Sequence, residues 1–190
     1  MFRIIKSSVV ILLLFTFLLG IVYPLFVTGV AQLTFPKQAN GWLIYMDENV
    51  VGSKLIGQQF NQPEYFWGRL SATSGFPYNA SASGGSNFSV LNPDLEMQVN
   101  KRIDELKLAD PSNTAPIPVD LVTASASGLD PNISLEAAQY QANRVASARN
   151  MDISTVIQLI DQNAKPRWLG IFGEPVVNVL MLNLALDALQ

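Results

Sequence analysis

The chain has 190 residues, of which 49% are hydrophobic, and it contains neither histidine nor cysteine. This length allows one domain with its own core and one additional element. Without those two residue types there can be no Ser-His-Asp triad, thiol nucleophile, thiolate metal site or disulfide framework. We therefore predict no catalytic residue, no metal site and no tightly bound cofactor.

Charge is distributed unevenly along the chain. All 15 acidic residues follow position 46, whereas only nine basic residues lie beyond Lys37, which leaves that part with a net charge near −6. Because such a surface repels phosphate backbones, we exclude nucleic acid as a partner.

Residues 9–30 form an almost wholly apolar run without charge. A helix of this length extends about 33 Å, enough for a hydrocarbon layer of roughly 30 Å. The pattern predicts an uncleaved transmembrane helix. A cleaved signal sequence is the alternative, because Gly29 and Ala31 suit a cleavage site, although a signal core usually has only about 7 to 15 apolar residues.

The flanking charges predict the orientation of this span. Arg3 and Lys6 precede it and only Lys37 follows closely, which favours a cytoplasmic N-terminus. Residues 1–8 are then cytoplasmic, and residues 31–190 form one soluble extracytoplasmic domain. The chain would be a single-pass membrane protein.

The rest of the chain predicts a mixed domain of class α/β or α+β. The expected elements are a hairpin with strands at 42–46 and from 50 onward, an irregular segment over 63–93, a strand beginning at 121, and a closing strand and helix. Three helices are expected with Asn92, Ser134 and Asp152 as N-caps. Asn150 is expected to end the second of these helices, and the apolar face of the third is predicted as Ile153, Val156, Ile157 and Ile160.

The stretch "YNASASGGSNFS", residues 78–89, permits three interpretations. A phosphate cradle would use glycine-supported backbone N–H groups at a helix start, usually with a lysine, and this stretch contains no lysine. Glycosylation is possible in a eukaryotic cell, since Asn79, Asn87 and Asn132 begin acceptor triplets. A structural or interface loop is the favoured interpretation.

Three arginines are candidate binding residues. Arg69 in "YFWGRLSAT" could bind a carboxylate, but packing on the neighbouring aromatic rings is the favoured interpretation. Arg144 and Arg149 lie late in a predicted helix, where they complement its negative end. Asp130 is expected to be a turn residue.

Several motifs occur together in a characteristic order: "YFWGRLSAT", "YNASASGGSN", "PVDLVTASASGLDPNIS" and "GEPVVNVLMLNLALD". With these motifs the chain resembles the KdpC family, the C subunits of Kdp potassium-transporting ATPases. The resemblance implies an accessory, non-hydrolysing subunit in the bacterial cytoplasmic (inner) membrane, with the domain on the outer, periplasmic face. The implied partners are a potassium-selective channel-like subunit, a P-type ATPase subunit and a small fourth membrane subunit.

The resemblance also implies a role in nucleotide binding by the complex. It implies assembly and stabilisation of the complex and a catalytic-chaperone role that raises the ATP affinity of the ATPase subunit. ATP is the one cofactor implied, with a nucleotide-related site at Ser83, Gly84, Gly85, Ser86 and Asn87. An exterior loop cannot reach cytoplasmic ATP, so an indirect role is favoured.

We also take four residues as candidates for contacts with partner subunits: Tyr65, Trp67, Arg69 and Tyr78. An independent membrane-anchored cell-surface binding module is the alternative function. It would use Tyr65, Phe66 and Trp67 as an aromatic platform, for example for carbohydrate.

Overall fold

The computed structural model describes residues 2–189, and the described chain divides into two compact units between Leu43 and Ile44. The first unit is a helical run of α1 (Phe2–Phe17), a π turn (Leu18–Val22) and α2 (Tyr23–Thr34), followed by the short α3 (Pro36–Ala39). The 33-residue run Phe2–Thr34 is apolar and long enough to cross a membrane. A signal sequence at this place would meet the same criterion, so that alternative stays open.

The π turn lies directly before Pro24. The Tyr23 N–H donates to the Leu18 carbonyl, five residues back. Proline has no N–H, and its ring crowds the carbonyl four residues earlier, here that of Gly20. The wider turn accommodates the proline within one continuous helix.

A hairpin of β1 (Leu43–Met46) and β2 (Asn49–Ser53) follows, as predicted, and all of it but Leu43 belongs to the second unit. Asp47 and Glu48 connect the strands, both with positive φ, at 48° and 68°. Two such residues form a type I′ turn, whose twist suits paired strands.

The remaining elements are five helices and one three-stranded sheet. The sheet is antiparallel in the order β3 (Asn132–Ser134), β5 (Val176–Asn178), β4 (Ala164–Lys165). The helices are α4 (Pro93–Ala109), α5 (Val119–Val122), α6 (Leu135–Arg149), α7 (Ile153–Asn163) and α8 (Val179–Asp187). The mixed helix/sheet prediction is confirmed, and the antiparallel sheet places the unit in the α+β class.

The predicted helix ends are confirmed. Asn92, Ser134 and Asp152 each accept a hydrogen bond from a backbone N–H in the first turn of their helix. Asn150 ends α6 in the left-handed region, with φ of 53°. These side chains satisfy amide groups that have no partner inside the helix.

Two sequence predictions are wrong. Residues 121–122 belong to the helical turn α5 and start no strand. Ile153 and Ile157 are 43% and 37% exposed, whereas Leu159 is buried. The reason is that α7 packs against α6 and α8, which turns Val156, Leu159 and Ile160 inward.

The core lies between the sheet and helices α6 to α8. Its largest fully buried apolar side chains are Phe66, Leu106, Leu121, Ile133, Ile160, Leu182 and Leu186. Helix α6 contributes the buried alanines Ala137, Ala138 and Ala142, whose small size permits close approach of its neighbours. Segment 63–93 is irregular as predicted up to the start of α4 at Pro93, apart from a 3-10 turn at Ala80–Ala82 and an isolated bridge at Leu70.

Candidate functional site

The segment from Pro63 to Arg69 passes into the core without belonging to any strand. Each of its seven consecutive carbonyl oxygens nevertheless accepts a hydrogen bond from a side chain. Buried peptide groups require a partner. Side chains from α4, α6 and α8, together with Tyr78, therefore pair this segment as a neighbouring strand would.

Two side-chain amides imitate peptide groups. Asn183 accepts from the Phe66 N–H at 2.8 Å and donates to the Phe66 carbonyl at 3.0 Å. Gln141 accepts from the Trp67 N–H at 2.8 Å and donates to the Trp67 carbonyl at 3.1 Å. Both amides are almost fully buried. They fix the position of two successive residues relative to α6 and α8.

Two guanidinium groups lie against the Trp67 ring. The Cζ atoms of Arg102 and Arg144 are 5.0 Å and 4.5 Å from its centroid. Arg144 also donates to the carbonyls of Pro63 and Tyr65. Burial lowers the pKa of Arg144 to about 10, so the guanidinium remains protonated at neutral pH.

A third guanidinium holds Tyr65. Arg149 donates from Nε to the Glu64 carbonyl at 2.8 Å and forms an ion pair with Asp187 at 2.6 Å. Its Cζ atom lies 4.9 Å from the centre of the Tyr65 ring, and the Tyr65 hydroxyl donates to Asp187 at 3.3 Å. The start of the segment is thereby attached to the ends of α6 and α8.

Arg69 forms an ion pair with Asp130 at 3.3 Å, and each side chain retains about 30% exposure. Asp130 also accepts from the Asn132 N–H at 3.0 Å, which confirms the predicted turn role. The Tyr78 hydroxyl donates to the Arg69 carbonyl at 2.6 Å, and burial raises the pKa of Tyr78 to about 12. Arg69 and Tyr78 are nine positions apart in the irregular segment, and this hydrogen bond brings them into contact.

The Ser83–Gly85 turn is attached to the segment 125–128. The Ser83 hydroxyl and the Gly84 N–H both donate to the Ser127 carbonyl, at 3.0 Å and 2.9 Å. A Cβ atom on Gly85 would lie 2.9 Å from the Ala126 carbonyl oxygen. These contacts require glycine at position 85 for close backbone approach.

Three features favour a structural or contact role for this turn over a phosphate cradle. Its Ser83 hydroxyl and Gly84 N–H are engaged by protein, α4 begins only at Pro93, and residues 78–89 include no lysine or arginine. Ser86 is half-buried and Asn87 is exposed with φ of 52°. The nucleotide-related role that the resemblance implies for Ser83, Gly84, Gly85, Ser86 and Asn87 stays a prediction.

The four partner-contact candidates occupy different environments. Trp67 is 8% exposed and belongs to the core, whereas Tyr65, Arg69 and Tyr78 are half-buried. Open grooves of about 480 and 550 Å³ adjoin Arg69 and Asp130. Partner contact through these four residues stays a prediction, and the Arg69 region offers the more accessible surface.

The aromatic platform proposed for a surface binding module is not available. Phe66 is fully buried, and Trp67 is buried in contact with two guanidinium groups. In addition, no group of three or more acidic residues in the described chain could hold a metal ion.

Sequence reasoning missed the side chains that hold the segment. The sequence predicts Arg144 and Arg149 as helix-end residues and Arg69 as the arginine that packs on the aromatic rings. In the structure Arg102, Arg144 and Arg149 contact these rings instead. One signal was available: Asn183 interrupts the apolar run "VLMLNLAL", and a buried amide requires a partner.

The chain combines one N-terminal apolar helix, long enough to cross a membrane, with a second unit of mixed helix and sheet, an arrangement compatible with the class of single-pass membrane proteins. The family model described as K+-transporting ATPase, c chain, KdpC, matches residues 5–188. The chain belongs to the KdpC family.

Individual relatives cover nearly the whole chain. A potassium-transporting ATPase KdpC subunit from Herpetosiphon aurantiacus is 58% identical over 97% of this chain and 96% of its own length. The corresponding proteins from Yersinia enterocolitica and Polaromonas naphthalenivorans are 56% and 57% identical, over 96% and 99% of this chain and 92% and 96% of their own lengths.

Proposed function

We propose that this chain is the accessory, non-hydrolysing subunit of an ATP-driven potassium uptake complex, which it assembles and stabilises. Its partners are a potassium-selective channel-like subunit, a P-type ATPase subunit and a small fourth membrane subunit. Family membership supports this role, and the chain lacks a DKTG-type phosphorylation motif.

In this proposal the chain crosses the bacterial cytoplasmic membrane once, through residues 9–30, with its N-terminus inside. The domain, residues 31–190, then lies on the outer face. The apolar helix and the basic residues Arg3 and Lys6 support this arrangement.

One observation carries the proposed mechanism: the Ser83 hydroxyl and the Gly84 N–H bind the chain's own Ser127 carbonyl. A loop shaped by such contacts suits recognition of a protein surface. The chain accordingly raises the ATP affinity of the ATPase subunit indirectly, by holding the partner subunits in the assembled arrangement, and it does not contact nucleotide itself.

Co-purification tests this function. The tagged full chain is isolated in mild detergent from potassium-starved cells, and its companions are identified by mass spectrometry. We expect the channel-like and ATPase subunits together. A chain that binds a surface ligand but brings down no multi-span protein would overturn the proposal in favour of the binding module.

A further inference from the structure

Residues 166–175 extend between β4 and β5 as a protruding loop, which we call the finger. Its base is the pairing of Lys165 with Val176 in the sheet. Near its tip Trp168 and Phe172 exchange two backbone hydrogen bonds, of 2.8 Å and 2.9 Å. Their ring centroids are 5.6 Å apart. The finger is therefore an ordered hairpin on a sheet whose central strand, β5, lies in the core.

The tip of the finger is apolar and open to solvent. Trp168, Leu169, Ile171 and Phe172 are 69%, 72%, 73% and 59% exposed, so no part of the described chain covers them. Adjacent apolar side chains exposed in this way mark an interaction site.

Leu169, a large apolar residue at the tip, has a backbone conformation that is unfavourable for leucine. Leu169 has φ of 53° and Gly170 has φ of 74°. Glycine adopts this region freely, whereas a leucine there costs about 1 kcal/mol. An exposed turn would ordinarily carry asparagine or glycine at such a position, so Leu169 adds apolar surface where folding does not require it.

The residues around the tip indicate what kind of surface the tip binds. Lys165 and Arg167 are exposed at the base of the finger, in a unit whose overall charge is negative, and Arg167 pairs with the exposed Glu174. Tryptophan with aliphatic residues and adjacent basic side chains is the composition of segments that lie at a bilayer interface. Anionic headgroups complement the positive charge of Lys165.

We propose that the finger inserts its tip into the surface of the lipid bilayer. The inference rests on the membrane anchoring in the proposed function, because helix α1–α2 tethers the second unit to the bilayer. At the high effective concentration that a tether gives, even weak insertion is populated. The finger then provides a membrane contact in addition to that of the helix, and it restricts the orientation of the domain relative to the bilayer.

The absence of native cysteine permits single-site labelling. The full chain with Leu169→Cys is labelled with an environment-sensitive fluorophore and reconstituted in vesicles of phosphatidylethanolamine and phosphatidylglycerol. Leu108→Cys is the matched control, since Leu108 is 82% exposed on α4. We expect a blue-shifted emission at position 169 and quenching by brominated acyl chains, with neither effect at position 108.

A second variant tests the cause of insertion. Adding Ile171→Ser to the labelled Leu169→Cys chain removes one large apolar side chain, which lowers the equilibrium constant for insertion about tenfold. Quenching at position 169 should fall accordingly, while Val119→Ser, at a site 72% exposed elsewhere, should leave it unchanged.

Two outcomes would overturn the inference. In one, position 169 is as unquenched as position 108. In the other, the blue shift arises only in the assembled complex and without quenching by brominated lipid, which identifies a partner subunit as the occupant. Failure of the proposed function is recognised separately, by loss of companions in co-purification.

Discussion

At the scale of single residues, the unusual feature is an irregular segment whose backbone is paired by side chains. A regular strand obtains its hydrogen bonds from a neighbouring strand, but Phe66 and Trp67 obtain theirs from the amides of Asn183 and Gln141. Each of these bonds is modest in net terms, whereas an unpaired buried group costs about 1–3 kcal/mol. The polar side chains in the core are thus required by the irregular segment.

The first prediction concerns Gln141→Leu. This change preserves side-chain size but leaves the Trp67 N–H and carbonyl without their amide partner, so the free energy of unfolding should fall by about 3 kcal/mol. Gln139→Leu, at an exposed position of the same helix, should change it by less than about 0.5 kcal/mol. Urea unfolding of the full chain in detergent, followed by tryptophan fluorescence, measures both. An equal loss of unfolding free energy in the two variants would contradict the role assigned to Gln141.

The second prediction concerns Tyr78 and alkaline pH. Its pKa is raised to about 12 by burial, whereas an unfolded tyrosine ionises near 10. Below pH 10 its contribution to stability is fully present, and it is lost as the pH rises toward 12. In that window the wild type should lose up to about 1.4 kcal/mol per pH unit relative to Tyr78→Phe.

The control for this measurement is Tyr45→Phe, because Tyr45 is 58% exposed. Unfolding of the wild type and both variants is compared between about pH 9 and pH 12, across the window set by the two pKa values. A pH dependence unchanged in Tyr78→Phe would show that Tyr78 does not titrate abnormally.

At the scale of elements, the Ser83–Gly85 turn and the segment 125–128 are one assembly. Ser83 and Gly84 share the Ser127 carbonyl, and Gly85 packs against the Ala126 backbone. The two adjacent glycines differ in their surroundings. A Cβ atom on Gly84 would find its nearest neighbour at 3.9 Å, whereas one on Gly85 would clash at 2.9 Å.

The third prediction uses this difference. Gly85→Ala should shift the turn away from Ala126 and lower the free energy of unfolding by about 1–3 kcal/mol, because the clash involves backbone that cannot move aside easily. Gly84→Ala should lower it by less than about 0.5 kcal/mol. The amount of partner subunit that co-purifies with the chain should fall only with Gly85→Ala. If the turn were a phosphate cradle, Gly84→Ala should also abolish the increase in the ATP affinity of the ATPase subunit.

Local patterns predicted most helix boundaries correctly. Asn92, Ser134, Asp152 and Asn150 act within one turn of chain, so their neighbours in sequence suffice to define their role. The buried face of α7 was partly wrong, because the choice between Ile157 and Leu159 depends on where α6 and α8 lie. The strand expected at 121 failed for a similar reason, since short elements depend on tertiary contacts.

At the scale of the whole molecule, an apolar helix precedes an acidic domain. The side of the membrane on which this domain lies decides whether it can reach cytoplasmic ATP. The orientation that we propose rests on the positive-inside rule, since Arg3 and Lys6 precede the apolar helix. In the proposed orientation the bilayer would separate the domain from cytoplasmic ATP.

The fourth prediction tests this topology. Ser83→Cys should react with an impermeant maleimide in spheroplasts, whereas Ser7→Cys should react only after permeabilisation. Both positions are exposed within the described chain, and no native cysteine competes. The intact mass of the purified chain distinguishes an anchor from a cleaved signal. Protection of Ser83→Cys until permeabilisation would contradict the external domain.

The sequence by itself determined the apolar span, the mixed helix/sheet class, the helix caps and the family resemblance. The first three follow from composition or from contacts within a few residues, and the resemblance follows from motifs that occur in a characteristic order. Only the tertiary structure decided which arginines lie on Trp67 and Tyr65, that Asn183 and Gln141 pair the irregular segment, and that the finger stands exposed. Those contacts join residues separated by as many as 117 positions, and no local pattern records such a pairing.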